Sequence, residues 1–159
     1  MPKTWAEKLH DAKGLPRVER ISGPHKAKYG AGTMLIPAPI EVDEVMRKIP
    51  RGKLITINEI RSLLAARHGA TITCPITTGI FAWIAAHAAD EAAEGGRKRI
   101  TPYWRTLKSG GQLNPKYPGG LQGIRKLLEA EGHSVVLRGR NLIVEHFEQS
   151  LAKVELPGR

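Results

Sequence analysis

Two helical segments in immediate succession constrain this chain more than any other feature. Thr56 and Glu59 in "TINEIRSLLAARHG" stand at capping-box spacing, where each side chain can satisfy an orphan N–H at a helix start. Ile60, Leu63 and Leu64 then share one face, and Gly69 supplies a stop. After a short link, Cys74-Pro75 opens the next helix, because the missing proline N–H costs nothing at the first helical position. Ile76, Ile80, Ile84 and Ala88 line one side of it, and Phe81 widens the stripe. Upstream, Val42, Val45, Met46 and Ile49 recur at i, i+3, i+4 and i+7, a short helix that Pro50 ends. Short connections between apolar faces require these helices to pack on one another.

The 159 residues suit one compact domain, and a hydrophobic fraction of 41% is enough to bury a core. The single cysteine, Cys74, excludes an intrachain disulfide. The start, "MPKTWAEKLHDAKG", is charged throughout and holds no apolar run of signal-peptide or membrane-span length. A soluble, cytoplasmic protein with no membrane partner is therefore expected, nucleoid-associated if it binds DNA. The six histidines show no metal-ligand spacing with Cys74 or with one another, so no metal is expected. Phosphate-cradling glycine patterns are missing too, and no cofactor is expected. The formal net charge of +10 favours a polyanionic partner through phosphate neutralisation and counterion release. Most of that excess lies in residues 1–30 and 91–117.

Residues 1–39, rich in glycine and proline, read as a basic arm, partly extended or disordered. Residues 40–150 form the domain, and 151–159 a tail. Within the domain, "DEAAEGGRKR" reads as a polar loop, and "YWRTLKSGGQL" as a hairpin around Lys108 to Gly111. "GGLQGIRKLLEAEG" reads as a helix with Leu121, Ile124, Leu127 and Leu128 inward, and "SVVLRGRNLIVEHF" as a hairpin turning at Arg138 to Asn141. The expected class is mainly α with small β hairpins (α+β). The helix pair around residue 70, its second member opened by threonines and trailed by Arg97, Lys98 and Arg99, resembles a helix-turn-helix.

The order of the parts also resembles a known family. Ile49-Pro50-Arg51-Gly52, the frame Pro102-Tyr103-Trp104-Arg105, and Gly119-Gly120-Leu121 followed by Leu127-Leu128-Glu129-Ala130-Glu131-Gly132 look like the DNA-binding domain of the alkylguanine-DNA alkyltransferases and alkyltransferase-like proteins. The resemblance covers roughly residues 40–132. It implies a winged helix-turn-helix of the alkyltransferase C-terminal type, which enters the minor groove and swings a damaged guanine into a pocket. The family's repair enzymes carry Pro-Cys-His-Arg, with the cysteine as alkyl acceptor. Here Tyr103 holds the cysteine position and Trp104 the histidine position. A phenol, with its pKa near ~10, is not the soft, partly ionised nucleophile that attack on an alkyl carbon needs. Glu131 matches the family's glutamate but has no imidazole to orient. The family tyrosine early in the first of the two helices falls on Ile57, and the arginine that fills a flipped base's gap falls on Ile76.

The resemblance therefore implies a non-catalytic DNA-binding protein, a monomer, that senses modified bases in DNA repair and recruits another repair protein. The pocket would be Tyr103, Trp104, Arg105 and Glu131. The nucleic-acid contacts would be Ile57, Ile76, Thr77, Thr78, Arg97, Lys98, Arg99 and Arg105. Two alternatives stay open. One is an enzyme acting on a nucleobase or small molecule, with Tyr103, Cys74 or Glu131 as actors. The other is a DNA- or RNA-binding regulator that keeps only the scaffold.

Overall fold

The computed structural model describes residues 2–157; residue 1 of the expected arm and residues 158 and 159 of the expected tail lie outside the described residues. The three helices anticipated from apolar spacing are present. Helix α3 (Pro39–Arg47) buries Val42, Val45 and Met46, and Ile49 just past its end is 1% exposed. Helix α4 (Ile57–His68) starts where the Glu59 carboxylate accepts from the Thr56 N–H and hydroxyl, both at 2.7 Å. It ends at Gly69 in the left-handed conformation. Helix α5 (Pro75–Glu94) runs for 20 residues, which at 1.5 Å per residue is about 30 Å.

Helix α5 departs from expectation at both ends. The apolar stripe is core only from Phe81 onward: Ile84 is 5% exposed, whereas Ile80 is 46% and Ile76 64% exposed. In the first turn and a half the isoleucine face is thus exposed, while Thr78 on the opposite side is buried. At the other end, residues expected to open a loop continue the helix through Glu94, because alanines 88, 89, 92 and 93 favour helix and the first glycine comes only at 95.

The N-terminal segment, expected as an extended or disordered arm, carries regular structure. Helix α1 (Trp5–His10) has a reciprocal capping box between Thr4 and Glu7. It docks on α5 through the Trp5 ring, edge-on to Trp83 at 4.8 Å and stacked on His87 at 4.5 Å. The Glu91 carboxylate accepts from the N–H groups of Trp5 and Ala6 at 3.0 and 3.1 Å, a second cap supplied from α5. Strand β1 (Arg17–Arg20) pairs antiparallel with β2 (Thr33–Ile36), with the short helix α2 (Pro24–Tyr29) between them. The α4–α5 link contains a strand, which we call β4 (Ile72–Thr73) because β3 (Ile55–Thr56) precedes it in the chain; β4 lies parallel to β2. The arm is therefore sewn onto the turn of the helix-turn-helix. Thr33 and Thr71 exchange hydrogen bonds at 3.0 and 3.1 Å at this seam, and Gly32 lies against Thr71 with φ +131°.

The remaining elements close the core. Strand β5 (Thr106–Leu107) pairs parallel with β3, while Gln112 bridges to Ile143 in the C-terminal hairpin. Residues 103–113 are thus not the hairpin expected: Tyr103–Arg105 is a 3-10 turn, and the two sides of the Lys108–Gly111 turn pair with different partners. Helix α6 (Gly120–Ala130) buries Ile124 and Leu128, Leu121 is partly buried, and Leu127, expected inward, is 37% exposed. Strands β6 (Val135–Arg138) and β7 (Asn141–Val144) form the anticipated second hairpin, the wing. The expected tail returns to the core, where Leu54 N donates to Ser150 O and Ala152 N to Leu54 O.

Helices α3 and α4 are joined by a buried ionic cluster that no local pattern announces. Arg67 binds Glu44 through two bonds of 3.0 and 2.7 Å, and Glu41 accepts from Arg67 and pairs with His68 at 2.6 Å.

A methyl group at position 32 would run into the Thr71 hydroxyl on a backbone that side chains rarely adopt. Gly32→Ala should therefore destabilise the protein by about 1–3 kcal/mol in urea denaturation. An unchanged midpoint would show that the arm is not held at this seam.

Candidate nucleic-acid interface

The start of α5 is the most outward-facing apolar surface near the helix-turn-helix turn. Ile76 and Ile80, four residues apart and so on one face, are 64% and 46% exposed. Between them, a Cβ built on Gly79 would meet nothing within 4 Å. Glycine inside a helix costs roughly 1 kcal/mol relative to alanine, and no internal contact requires it here. Thr77 and Thr78, expected to face phosphate, behave otherwise. Thr78 is fully buried and its hydroxyl donates to Cys74 O at 2.6 Å; the Thr77 hydroxyl is buried without a partner. Ile57 begins α4 and is half-buried against the core. Its neighbour Asn58 is exposed and donates to Ser109 Oγ at 3.2 Å, which places the exposed turn 108–110 beside the start of α4.

Exposed cations also occur on elements that the sequence did not link to this face. Every residue of β1 is exposed, including Arg20 and Arg17, the latter paired with Glu19 at 3.1 Å, and the β1–β2–β4 sheet leads into α5. The wing tip carries Arg138 and Arg140, both exposed. By contrast, Arg97, Lys98 and Arg99 follow the far end of α5, where the chain turns back and Arg97 N donates to Ala92 O at 3.0 Å, so they stand beside its C-terminal turns and away from Ile76. The two sets of expected contacts therefore do not form one patch.

The 102–105 turn is built around a buried carboxylate. Glu131, whose side chain is 3% exposed, accepts from Trp104 Nε1 at 2.8 Å, Arg105 Nη2 at 2.8 Å, Arg105 Nε at 2.9 Å and Gly52 N at 3.1 Å. Arg105 also donates to Ile49 O at 2.7 Å, and Arg51 to Ala130 O at 2.9 Å. Burial disfavours the charged carboxylate, but the bonds from Arg105, Trp104 and Gly52 outweigh it and hold the Glu131 pKa below its ordinary value. The neighbouring His133 has its pKa lowered, by burial first and by Arg105 next, against the opposing pull of Glu131.

Of the four expected pocket residues, Trp104, Arg105 and Glu131 form this one cluster. Tyr103 points elsewhere: it is 6% exposed, edge-on to Trp104 at 5.2 Å and to the buried Tyr117 at 6.1 Å. Burial raises the Tyr103 pKa, with Asp90 adding to the effect, so its phenol stays protonated and inert. Cys74 is partly exposed at the N-cap of α5, where its N–H donates to Leu35 O at 2.8 Å. No group of three or more metal-ligating side chains occurs among the described residues.

No family model and no curated protein matches the chain. Among solved structures, it is similar to S. pombe Atl1 in complex with damaged DNA containing O6-carboxymethylguanine, with a TM-score of 0.48 and 19% identity over 73% of this chain and 94% of the other. A second crystal structure of S. pombe ATL in complex with DNA gives a TM-score of 0.46 with the same identity and coverage.

Removing the charge at position 131 strands the Arg105 guanidinium in a largely buried site. Glu131→Gln should cost about 3–5 kcal/mol, and Trp104→Phe, which leaves the ion pair intact, about 1–3 kcal/mol. The pH dependence has a definite sign. A carboxyl with a lowered pKa contributes its full stability above the unfolded-state pKa and loses it as pH falls through its folded pKa. The gap between wild type and Glu131→Gln should thus be constant near neutrality and narrow below the ordinary carboxylate range. A gap independent of pH would contradict the account.

Proposed function

We propose that this chain is a DNA-binding protein of the alkyltransferase-like kind that senses modified bases without transferring an alkyl group. The observation that carries the reading is the pair Ile76 and Ile80, exposed on one face of the start of α5 with an open gap at Gly79 between them. Isoleucine can wedge between base steps, and a step weakened by a modified or mispaired base costs less to unstack. The missing side chain at Gly79 lets the helix backbone approach a sugar-phosphate strand closely. The cations of β1 and the wing supply phosphate contacts that position the helix without reading sequence.

The chemistry of the 102–105 turn supports the absence of alkyl transfer. The residue in the cysteine position is a buried phenol whose pKa burial raises. The residue in the histidine position is an indole whose only proton is already donated to Glu131. Neither a nucleophile nor a base remains there. Recruitment of a further repair protein, and binding as a monomer, belong to the same proposal.

Fluorescence anisotropy on three labelled duplexes, unmodified, bearing an alkylated guanine, or abasic, tests the reading. Wild type should prefer the altered duplexes. Ile76→Ala/Ile80→Ala should lose that preference and bind at least tenfold more weakly, while the salt slope, set by phosphate contacts, stays the same. Gly79→Ala should raise thermal stability, by up to about 1 kcal/mol, yet weaken duplex binding. Protein mass after incubation with the alkylated duplex should be unchanged. Equal affinity for all three duplexes, or an alkyl adduct on the protein, would refute the proposal.

A further inference from the structure

The basic run past the end of α5 borders a cleft of about 690 Å³ enclosed by α1, α3, the C-terminal half of α5 and the 97–102 segment. Its volume lies in the range of small-ligand sites. Ala85, Ala88, Ala89 and Ala92 share the face of α5 that lines it; the first three are buried at its floor and Ala92 is the one partly exposed. Trp104 forms another part of the wall, its indole edge fixed by the bond to Glu131.

The polar side of the cleft is mainly basic, with Arg47 paired to Asp43 and Arg105 to Glu131. Arg47, Arg97, Lys98, Arg99 and Arg105 line it, and Asp43 is the sole acidic residue among the lining. Asp43 cannot neutralise them all: it is buried, and its two oxygens are taken by Arg47 and by Thr101 Oγ1, the latter at 2.7 Å. Arg97, Lys98 and Arg99 are exposed and make no ion pair among the described residues. A cluster of unpaired cations at the rim of an apolar slot with an aromatic wall fits a ligand with a flat ring at one end and a phosphate at the other.

We infer that this cleft is a second site, separate from the start of α5, that binds a nucleoside monophosphate group with its base beside Ala92 and Trp104 and its phosphate on Arg97 and Arg99. The group can be a free nucleotide or the 5′-phosphorylated end of a strand, since both present the same chemistry. The site does not depend on the duplex reading, because nothing in it touches Ile76 or Ile80.

Titration calorimetry of the full chain with GMP, guanosine and inorganic phosphate decides the matter, alongside a trinucleotide with and without a 5′-phosphate. GMP should saturate one site, with guanosine and phosphate each at least tenfold weaker. Arg97→Ala/Arg99→Ala, on an exposed loop, should weaken GMP at least tenfold, and Ala92→Leu, which fills the wall, should do the same without changing charge. A 5′-phosphorylated trinucleotide that binds more tightly than GMP identifies a strand end as the source; the reverse order identifies a free nucleotide. No saturable GMP binding, equal binding of GMP and phosphate, or GMP binding unaffected in both variants would overturn the assignment. Mononucleotides are used so that failure here and failure of duplex binding are read separately.

Discussion

The Glu131 carboxylate holds three distant pieces of chain in one place. It reaches the 49–52 turn through Gly52 N, the 102–105 turn through Trp104 and Arg105, and belongs itself to the end of α6. Arg105 extends the join to Ile49 O. A buried carboxylate stays charged only when its acceptor capacity is met, so each partner secures the others. Trp104 fills one of those acceptor positions with an indole N–H, which donates a hydrogen bond and can neither accept nor relay a proton. With Trp104 held on Glu131, its neighbour Tyr103 packs inward against Tyr117. The two aromatics in "PYWR" thus serve packing, Tyr103 in the core and Trp104 at its edge.

Helix α5, of 20 residues, separates its ends by about 30 Å, longer than the 20 Å or so across a B-form duplex. One end carries the exposed isoleucines; the other is followed by Arg97 to Arg99 at the mouth of a cleft. The docking of α1 on the C-terminal half of α5, through Trp5 and Glu91, fixes that half of the helix. The proposed duplex contact and the proposed nucleotide site thus fall at different ends of one helix.

How much of this was legible depends on the range of the interactions. Capping boxes, helix faces and the wing turn act within a few residues, so the Thr56–Glu59 start, the Gly69 stop and the Arg138–Asn141 hairpin could be read directly. The β2–β4 pairing, the Arg67–Glu41–Glu44 cluster and the partners of Glu131 join residues 23 or more apart, and no local pattern marks them. Ile76 and Ile80 have the right period for a buried stripe; only the extent of the packed neighbours shows that the stripe outruns the core. Neither Arg105 as a brace nor Tyr103 as packing was legible, because Glu131, Ile49 and Tyr117 sit in separate segments.

The proposed function turns on duplex contact by the start of α5 and not by the 102–105 turn. A single NMR titration with an alkylated-guanine duplex, following tryptophan indole N–H and isoleucine methyl resonances together, tests it most directly. The account predicts that the Trp104 indole N–H exchanges slowly with solvent and keeps its position, while the Ile76 and Ile80 methyls shift on binding. A Trp104 resonance that moves on addition of duplex, with the two isoleucine methyls unchanged, would contradict it.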